Sequence, residues 1–290
     1  HSGDIVNYQR IIEVVFAVKP DEVYHLAAQS FVQESFEDPS TTVMMNIQGT
    51  LNILNAVKNF SPKSRLYFAA SSEMFGKVRE MPQTESTPFY PRSPYGISKL
   101  TGFELTRNYR EAYGLFACSG ILFNHESPRR GYEFVTRKIT RTAAKISRGE
   151  ENVLLIGNID AKRDWGFAKD YVEAMWRMLQ QPKPEDFVIA TGETHSVLEF
   201  ITSVFSKANI NKFEIVDLHE ISAHEADERV AQLREQKDNV FIVQYPKFYR
   251  PAEVDLLIGN AEKAKTLLRW EPKISFNELV SIMTEHDLRG

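Results

Sequence analysis

The sequence predicts an α/β protein built on a doubly wound parallel sheet. Three observations lead there. Short apolar runs of strand length alternate with longer segments whose apolar residues recur at helical spacing. The helical segments fall between the strands, as crossover helices covering both faces of a parallel sheet do. The polar residues with chemical potential sit just after the strand-like runs, where open parallel sheets bind ligands.

In chain order, residues 22–28 (EVYHLAA) read as a buried strand ending in small residues. Residues 43–58 are helical, with Val43, Ile47, Leu51, Leu54 and Val57 on one face. Residues 65–70 (RLYFAA) and 115–123 (LFACSGILF) are further strands, separated by a long helix over 95–113. A helix over 134–148 carries many basic groups, followed by a strand at 153–156, a helix at 168–179 and a strand at 187–190. Ser196 and Glu199 form a capping-box pattern that opens a helix through Ala208. Residues 210–239 are more polar and take no clear element. Two short helices, 261–268 and 276–286, close the chain.

Composition narrows the function classes. The 290 residues suit one large domain or two linked ones. Hydrophobic residues make up 42% and charged residues 26%, enough for a sizeable core. The net charge of −4 argues against a nucleic-acid surface. No apolar run approaches the roughly 20 residues a membrane span needs, so no membrane contact is expected. Cys118 is the only cysteine, which rules out an intrachain disulfide and a cysteine metal site and fits a reducing compartment. No metal site is expected.

Tyr95 and Lys99 stand four residues apart and share one helix face. An ammonium near a phenol favours the phenolate, so such a tyrosine can take a proton from a sugar hydroxyl. Spacing alone favours the blander reading, a solvated helix pair. Ser71 and Glu73 add weight, because they follow an apolar strand one loop before Tyr95. A hydroxyl there can bond a reacting oxygen, and a carboxylate two residues on can move a carbon-bound proton. Taken in isolation, Ser71-Ser72-Glu73 also reads as a turn or helix cap.

Ser71-x-Glu73 with Tyr95-x-x-x-Lys99 resembles the extended short-chain dehydrogenase/reductase family. Three longer strings are similar to one branch of it, the GDP-mannose 4,6-dehydratases: TPFYPRSPYG from Thr87, FNHESPRRG from Phe123 with FVTRK from Phe134, and DAKRDWG from Asp160 with AKDYVEAMW from Ala168. YRPAEVD from Tyr249 is similar to a substrate-domain motif of that branch. The resemblance implies a Rossmann-type sheet with a smaller C-terminal α/β substrate-binding domain. Residues 1–125 would be the remainder of an NADP-binding domain. Residues 126–290 would be mainly substrate-binding, with 157–192 partly returning to the first domain. No G-x-G-x-x-G turn occurs in the sequence, while the elements present follow one another as they do after such a turn. That points to a chain lacking about two βα units.

The resemblance also implies roles. Ser71, Glu73, Tyr95 and Lys99 would be catalytic, with Glu73 the acid/base of elimination and Tyr95 the base of oxidation. Asp4, Ile5, Leu26, Ala27, Ala28, Gln29, Ser30, Thr41, Lys99, His125 and Arg130 would hold the cofactor, NADP. Ser72, Asn124, Lys138, Arg163, Arg250 and Glu253 would hold the substrate, GDP-mannose, whose diphosphate suits cationic groups. A cytoplasmic homodimer or homotetramer is implied. Two alternatives stay open at this point: a related epimerase, reductase or decarboxylase acting on another nucleotide sugar, and a non-catalytic homologue.

Overall fold

The computed structural model describes residues 1–249, 252, 254 and 256–290; Arg250, Pro251, Glu253 and Asp255 lie outside the described residues. In chain order the elements are α1 (Tyr8–Val18), β1 (Glu22–His25), α2 (Val32–Glu37), α3 (Pro39–Phe60), β2 (Arg65–Ala69), α4 (Pro94–Tyr113), β3 (Ala117–Leu122), β4 (Asn124–Glu126), α5 (Val135–Ser147) and β5 (Val153–Ile156). There follow β6 (Lys162–Arg163), β7 (Trp165–Phe167), α6 (Ala168–Leu179), β8 (Phe187–Ile189), β9 (His195–Ser196), α7 (Val197–Lys207), β10 (Glu214–Asp217), α8 (Ala223–Glu235), β11 (Phe241–Gln244) and α9 (Phe276–Arg289). The chain divides into two compact units.

The first unit holds His1–Asn124, Lys169–Gly192 and Leu257–Pro272. Its sheet runs β1-β2-β3-β8 with every pair parallel. The register sets His25 beside Phe68 and Ala69 beside Gly120. On one face Tyr67, Cys118 and Leu122 pack with Tyr171, Ala174 and Met178 of α6 and with Trp270. The Trp270 indole N–H donates to the Asp170 carbonyl at 2.7 Å, so the buried ring leaves no orphan donor. On the other face α4 lies close against the sheet at Gly102, where a Cβ would stand 2.4 Å from the Phe68 ring.

Local chemistry explains where the helices near the site begin. Asp38 caps α3 by accepting from the Thr41 amide at 2.9 Å, with Pro39 in the first turn. Ser93 caps α4 by accepting from the Gly96 amide at 3.0 Å, with Pro94 next to it. Gly114, at φ 67°, ends α4 in the left-handed conformation that glycine tolerates.

The second unit holds His125–Ala168, Glu193–Leu256 and Lys273–Gly290. It has its own parallel sheet, β10-β11-β5. Its main core gathers Ile139 and Ala143 of α5, Phe200 and Val204 of α7, Leu279 and Met283 of α9, and Trp165. Ser196 with Glu199, Ser222 with Glu225 and Ser275 with Glu278 form complete capping boxes at α7, α8 and α9. A buried ion pair, Arg137 with Asp287 at 2.9 Å, ties α5 to α9.

Several elements differ from the sequence reading. The strand expected at 22–28 ends at His25, because the next residues turn away and are held by a side chain of α3. The polar stretch 210–239 contains β10 and α8. Its polarity follows from exposure: β10 is an edge strand, and α8 buries only Ala226, Val230 and Leu233. The helix expected at 261–268 includes a π-helical turn, Ala264–Leu268. Helix α1 precedes the elements that the sequence predicts.

Candidate active site

In the first unit, the carboxyl ends of β1 and β2 open toward a set of polar residues. β2 ends at Ala69, and the chain enters a single 3-10 turn, Ser72–Met74. Ser71 caps that turn, its Oγ accepting from the Glu73 amide at 3.2 Å. The cap reading and the catalytic reading of Ser71 are therefore compatible. Accepting that bond fixes the Oγ, and the hydroxyl proton remains available to donate outward. Ser72 is buried within the turn and Glu73 is half-buried.

The α4 N-terminus packs directly on this turn. A Cβ at Gly96 would stand 2.8 Å from the Glu73 carbonyl oxygen, so glycine allows the approach. One residue earlier, Tyr95 is 8% exposed. Lys99 follows one turn on and is 5% exposed. Its ammonium donates to the Ala69 carbonyl at 2.8 Å and lies 5.8 Å from the Tyr95 ring centre. Burial lowers the Lys99 pKa to about 8. The structure thus brings Ser71, Glu73, Tyr95 and Lys99 to one place in the first unit.

Residues absent from the sequence reading organise this place. Asn46 of α3 is buried, and its amide is fully used. Its Oδ1 accepts from the Gln29 amide at 2.9 Å, and its Nδ2 donates to the Gln29 carbonyl at 3.0 Å and to Ser98 Oγ at 2.9 Å. Ser98 Oγ in turn donates to the Tyr95 carbonyl at 2.8 Å. Asn46 therefore joins the loop after β1 to the first turn of α4. A signal for this did exist in the sequence: Asn46, Gly49 and Thr50 interrupt the α3 apolar pattern on its inward side.

The expected cofactor residues of this unit lie on that loop, in the first turn of α3 and near the start of the chain. Leu26, Ala27 and Ser30 are exposed, while Ala28 and Gln29 are half-buried. Thr41 is exposed in the first turn of α3. The Ile5 carbonyl accepts from Asn52 of α3 at 2.9 Å, and Asp4 bonds the Val6 amide at 3.0 Å, so the start of the chain is pinned to α3. Asn124, half-buried, ends the first segment of the unit.

The second unit carries the remaining candidates. Arg130 pairs with Glu126 at 3.3 Å and stacks over Phe134 at 3.6 Å. His125 is half-buried. Lys138 lies 3.3 Å from the centre of the Phe248 ring, and burial lowers its pKa to about 8. Gly157 permits a close passage of the Phe248 backbone, since a Cβ there would meet the carbonyl oxygen at 2.4 Å. Arg163 is 7% exposed and donates to the Lys162 carbonyl at 2.9 Å. Arg250 and Glu253, expected at the substrate, lie outside the described residues. Among the described residues, no group of histidine, cysteine and acidic side chains could hold a metal ion.

Fold comparison defines the class. The chain superposes on a Pseudomonas aeruginosa protein, RMD, solved with NADPH, at a TM-score of 0.83 and 24% identity, covering 100% of this chain and 88% of that one. It superposes on DesIV, a dTDP-glucose 4,6-dehydratase from Streptomyces venezuelae, at 0.78 and 19% identity, covering 98% and 77%. The fold is a Rossmann-type α/β fold. Sequence comparison then gives the family. A family model described as GDP-mannose 4,6 dehydratase matches residues 1–283. A GDP-mannose 4,6 dehydratase of Dictyostelium discoideum is 49% identical over 290 residues, which is 99% of this chain and 79% of that protein. The Homo sapiens GDP-mannose 4,6 dehydratase is 48% identical over 290 residues, 99% and 76%. The chain belongs to the GDP-mannose 4,6-dehydratase family.

Proposed function

We propose that this chain takes part in conversion of GDP-mannose to GDP-4-dehydro-6-deoxy-mannose and water, a hydro-lyase reaction with NADP as the bound nicotinamide cofactor. The observation that carries the reading is the family match across residues 1–283, supported by the clustering of Ser71, Glu73, Tyr95 and Lys99 in the first unit. The residues present suit a dinucleotide: an exposed loop of small residues at the carboxyl end of β1, its backbone held by Asn46, beside a buried ammonium with N–H groups to spare. A bound nicotinamide supplies a hydride acceptor at C4 and the hydride donor at C6, so it ends each turnover as it began.

Tyr95 takes the proton of the C4 hydroxyl, with Lys99 favouring negative charge on the phenolic oxygen. Ser71 donates to the C4 oxygen and holds it as a ketone forms. The ketone acidifies the C5 proton. Glu73 removes that proton and passes one to the departing C6 hydroxyl, which leaves as water. Lys138 and Arg163, with Arg250 and Glu253, would hold the GDP-sugar, the cations against its diphosphate. Asp4, Ile5, Thr41, His125 and Arg130 would complete the cofactor site. The assembly expected is a homodimer or homotetramer acting in the cytoplasm. Among the described residues no helix is long and apolar enough to cross a membrane.

Incubating the protein with GDP-mannose and NADP, and reading the sugar nucleotide by mass, tests the proposal. Loss of one water supports it. Turnover of a different nucleotide sugar with GDP-mannose untouched overturns the substrate assignment.

A further inference from the structure

His25, the last residue of β1, is 4% exposed and takes no part in the chemistry above. Its ring Nε2 lies 3.0 Å from Thr50 Oγ1. The Thr50 hydroxyl donates its own proton to the Asn46 carbonyl at 2.7 Å. A hydroxyl has one proton, so toward His25 it can only accept. His25 must therefore carry its proton on Nε2, which leaves Nδ1 a bare lone pair. That atom is buried and has no hydrogen-bond partner among the described residues.

An orphan acceptor in a core requires an explanation. The neighbours supply one. From β2, the Phe68 ring lies 5.7 Å from the imidazole. From α4, the Lys99 ammonium lies 5.3 Å from the centre of that same Phe68 ring. From α3 come only the neutral Thr50 and Asn46. Glu22 and Tyr24 alternate to the other face of β1, where Glu22 bonds Tyr24 and Gln180. Burial above all, with the nearby Lys99 charge adding to it, holds the imidazole neutral, near a pKa of about 3; among the described residues no other charge contributes. Two bonds from α3, one helical turn apart, thus fix both ends of the segment after β1: Thr50 holds His25 and Asn46 holds Gln29.

We propose that His25 is a positioning residue for the Lys99–Tyr95 pair: a neutral, Nε2-protonated imidazole that anchors the base of the 26–30 loop and keeps a bare polar atom in the apolar surroundings of Lys99. The proposal rests on the reading of Tyr95 and Lys99 as the reacting pair. A buried ammonium is stabilised by nearby dipoles and destabilised by hydrocarbon. Replacing the imidazole with an aliphatic side chain removes the Thr50 anchor and the polar atom together. Glutamine can place an amide N–H near the Nε2 position and so retains the anchor and a dipole.

The test compares wild type, His25→Leu and His25→Gln, with His25→Met as a second apolar variant should leucine prevent folding. NMR of labelled lysine follows the Lys99 titration in the protein without added ligand. It should centre near pH 8 in wild type. It should move to lower pH in the apolar variant and return toward wild type in His25→Gln. Steady-state kinetics should show kcat reduced roughly tenfold in the apolar variant at unchanged KM, with most of the rate restored by glutamine. A filler role would make leucine at least as good as glutamine in both measurements, and that result overturns the proposal. Absence of wild-type turnover would overturn the functional reading instead and leave the NMR comparison to decide on His25.

Discussion

At the residue scale the division of labour between Tyr95 and Glu73 is the sharpest claim. Tyr95 stands at the start of α4 beside Lys99, and Glu73 stands in the turn against which Gly96 packs. Proton transfer at the C4 oxygen belongs to the first and at C5 to the second. Tyr95→Phe should lower turnover roughly 10²- to 10⁴-fold and stop the reaction before the ketone forms. Glu73→Gln should lower overall turnover by a similar order and stop it later. In that variant, the absorbance of reduced nicotinamide would report oxidation without loss of water. Equal, mild losses in both variants would refute the split. A second prediction concerns Asn46. Both of its N–H groups face acceptors, Gln29 O and Ser98 Oγ, and its oxygen faces the Gln29 amide. Asn46→Asp keeps the shape but places an acceptor against an acceptor. Thermal unfolding should show a loss of about 1–3 kcal/mol, and calorimetry should show weaker nicotinamide binding.

At the scale of elements, close packing under α4 decides how firmly Lys99 is held. Gly102 sits above Phe68, whose ring lies beneath the lysine. Alanine there would gain about 1 kcal/mol of helix propensity, but inserting a methyl into a packed ring typically costs about 1–3 kcal/mol. The balance falls on the unfavourable side, because the contact of 2.4 Å is with a ring packed between helix and sheet. Gly102→Ala should lower both the melting temperature and kcat. Gly49→Ala is the comparison: its added methyl meets the Ile5 side chain, expected at the cofactor, so it should weaken nicotinamide binding rather than loosen Lys99. The elements themselves were largely readable. Apolar runs located the strands at 65–69, 117–122 and 187–189, and the capping box at Ser196 located α7. Ser71 and Glu73 were readable because they follow a strand end, Tyr95 and Lys99 because they stand four residues apart on one helix, and the roles of all four came from the family resemblance. The roles of Asn46 and His25 were not readable, although polar residues on the inward side of α3 mark the place, because those roles depend on bonds between residues 17 to 52 positions apart. Helix α8 escaped because an exposed helix carries little apolar periodicity.

At the scale of the whole molecule, ionisation couples activity and stability in opposite directions. Burial lowers Lys99 from its ordinary 10.5 to about 8. Between these values the folded protein has released the proton while the unfolded chain still holds it. Stability therefore rises with pH across that window, by up to about 1.4 kcal/mol per pH unit. Lys138 behaves in the same sense over the same window. His25 extends the pattern to acid: its pKa falls from 6.5 to about 3, so the unfolded chain takes up a proton first and stability declines from near pH 6.5 downward. His25→Gln should flatten that acid slope in urea unfolding measured at several pH values. Activity runs the other way at the alkaline end, because Tyr95 relies on a charged Lys99 and the diphosphate on a charged Lys138. kcat should fall as pH rises through about 8 while these two groups make the fold more stable, so the alkaline loss cannot be assigned to their unfolding effect. The two lysines are separable by kinetics. Deprotonation of Lys99 lowers kcat, whereas deprotonation of Lys138 raises KM for the sugar nucleotide. Lys138→Arg keeps its charge through alkaline pH, so it should abolish the rise in KM and leave the fall in kcat. If arginine at 138 instead removed the fall in kcat, the assignment of Lys99 as the alkaline limb would be wrong.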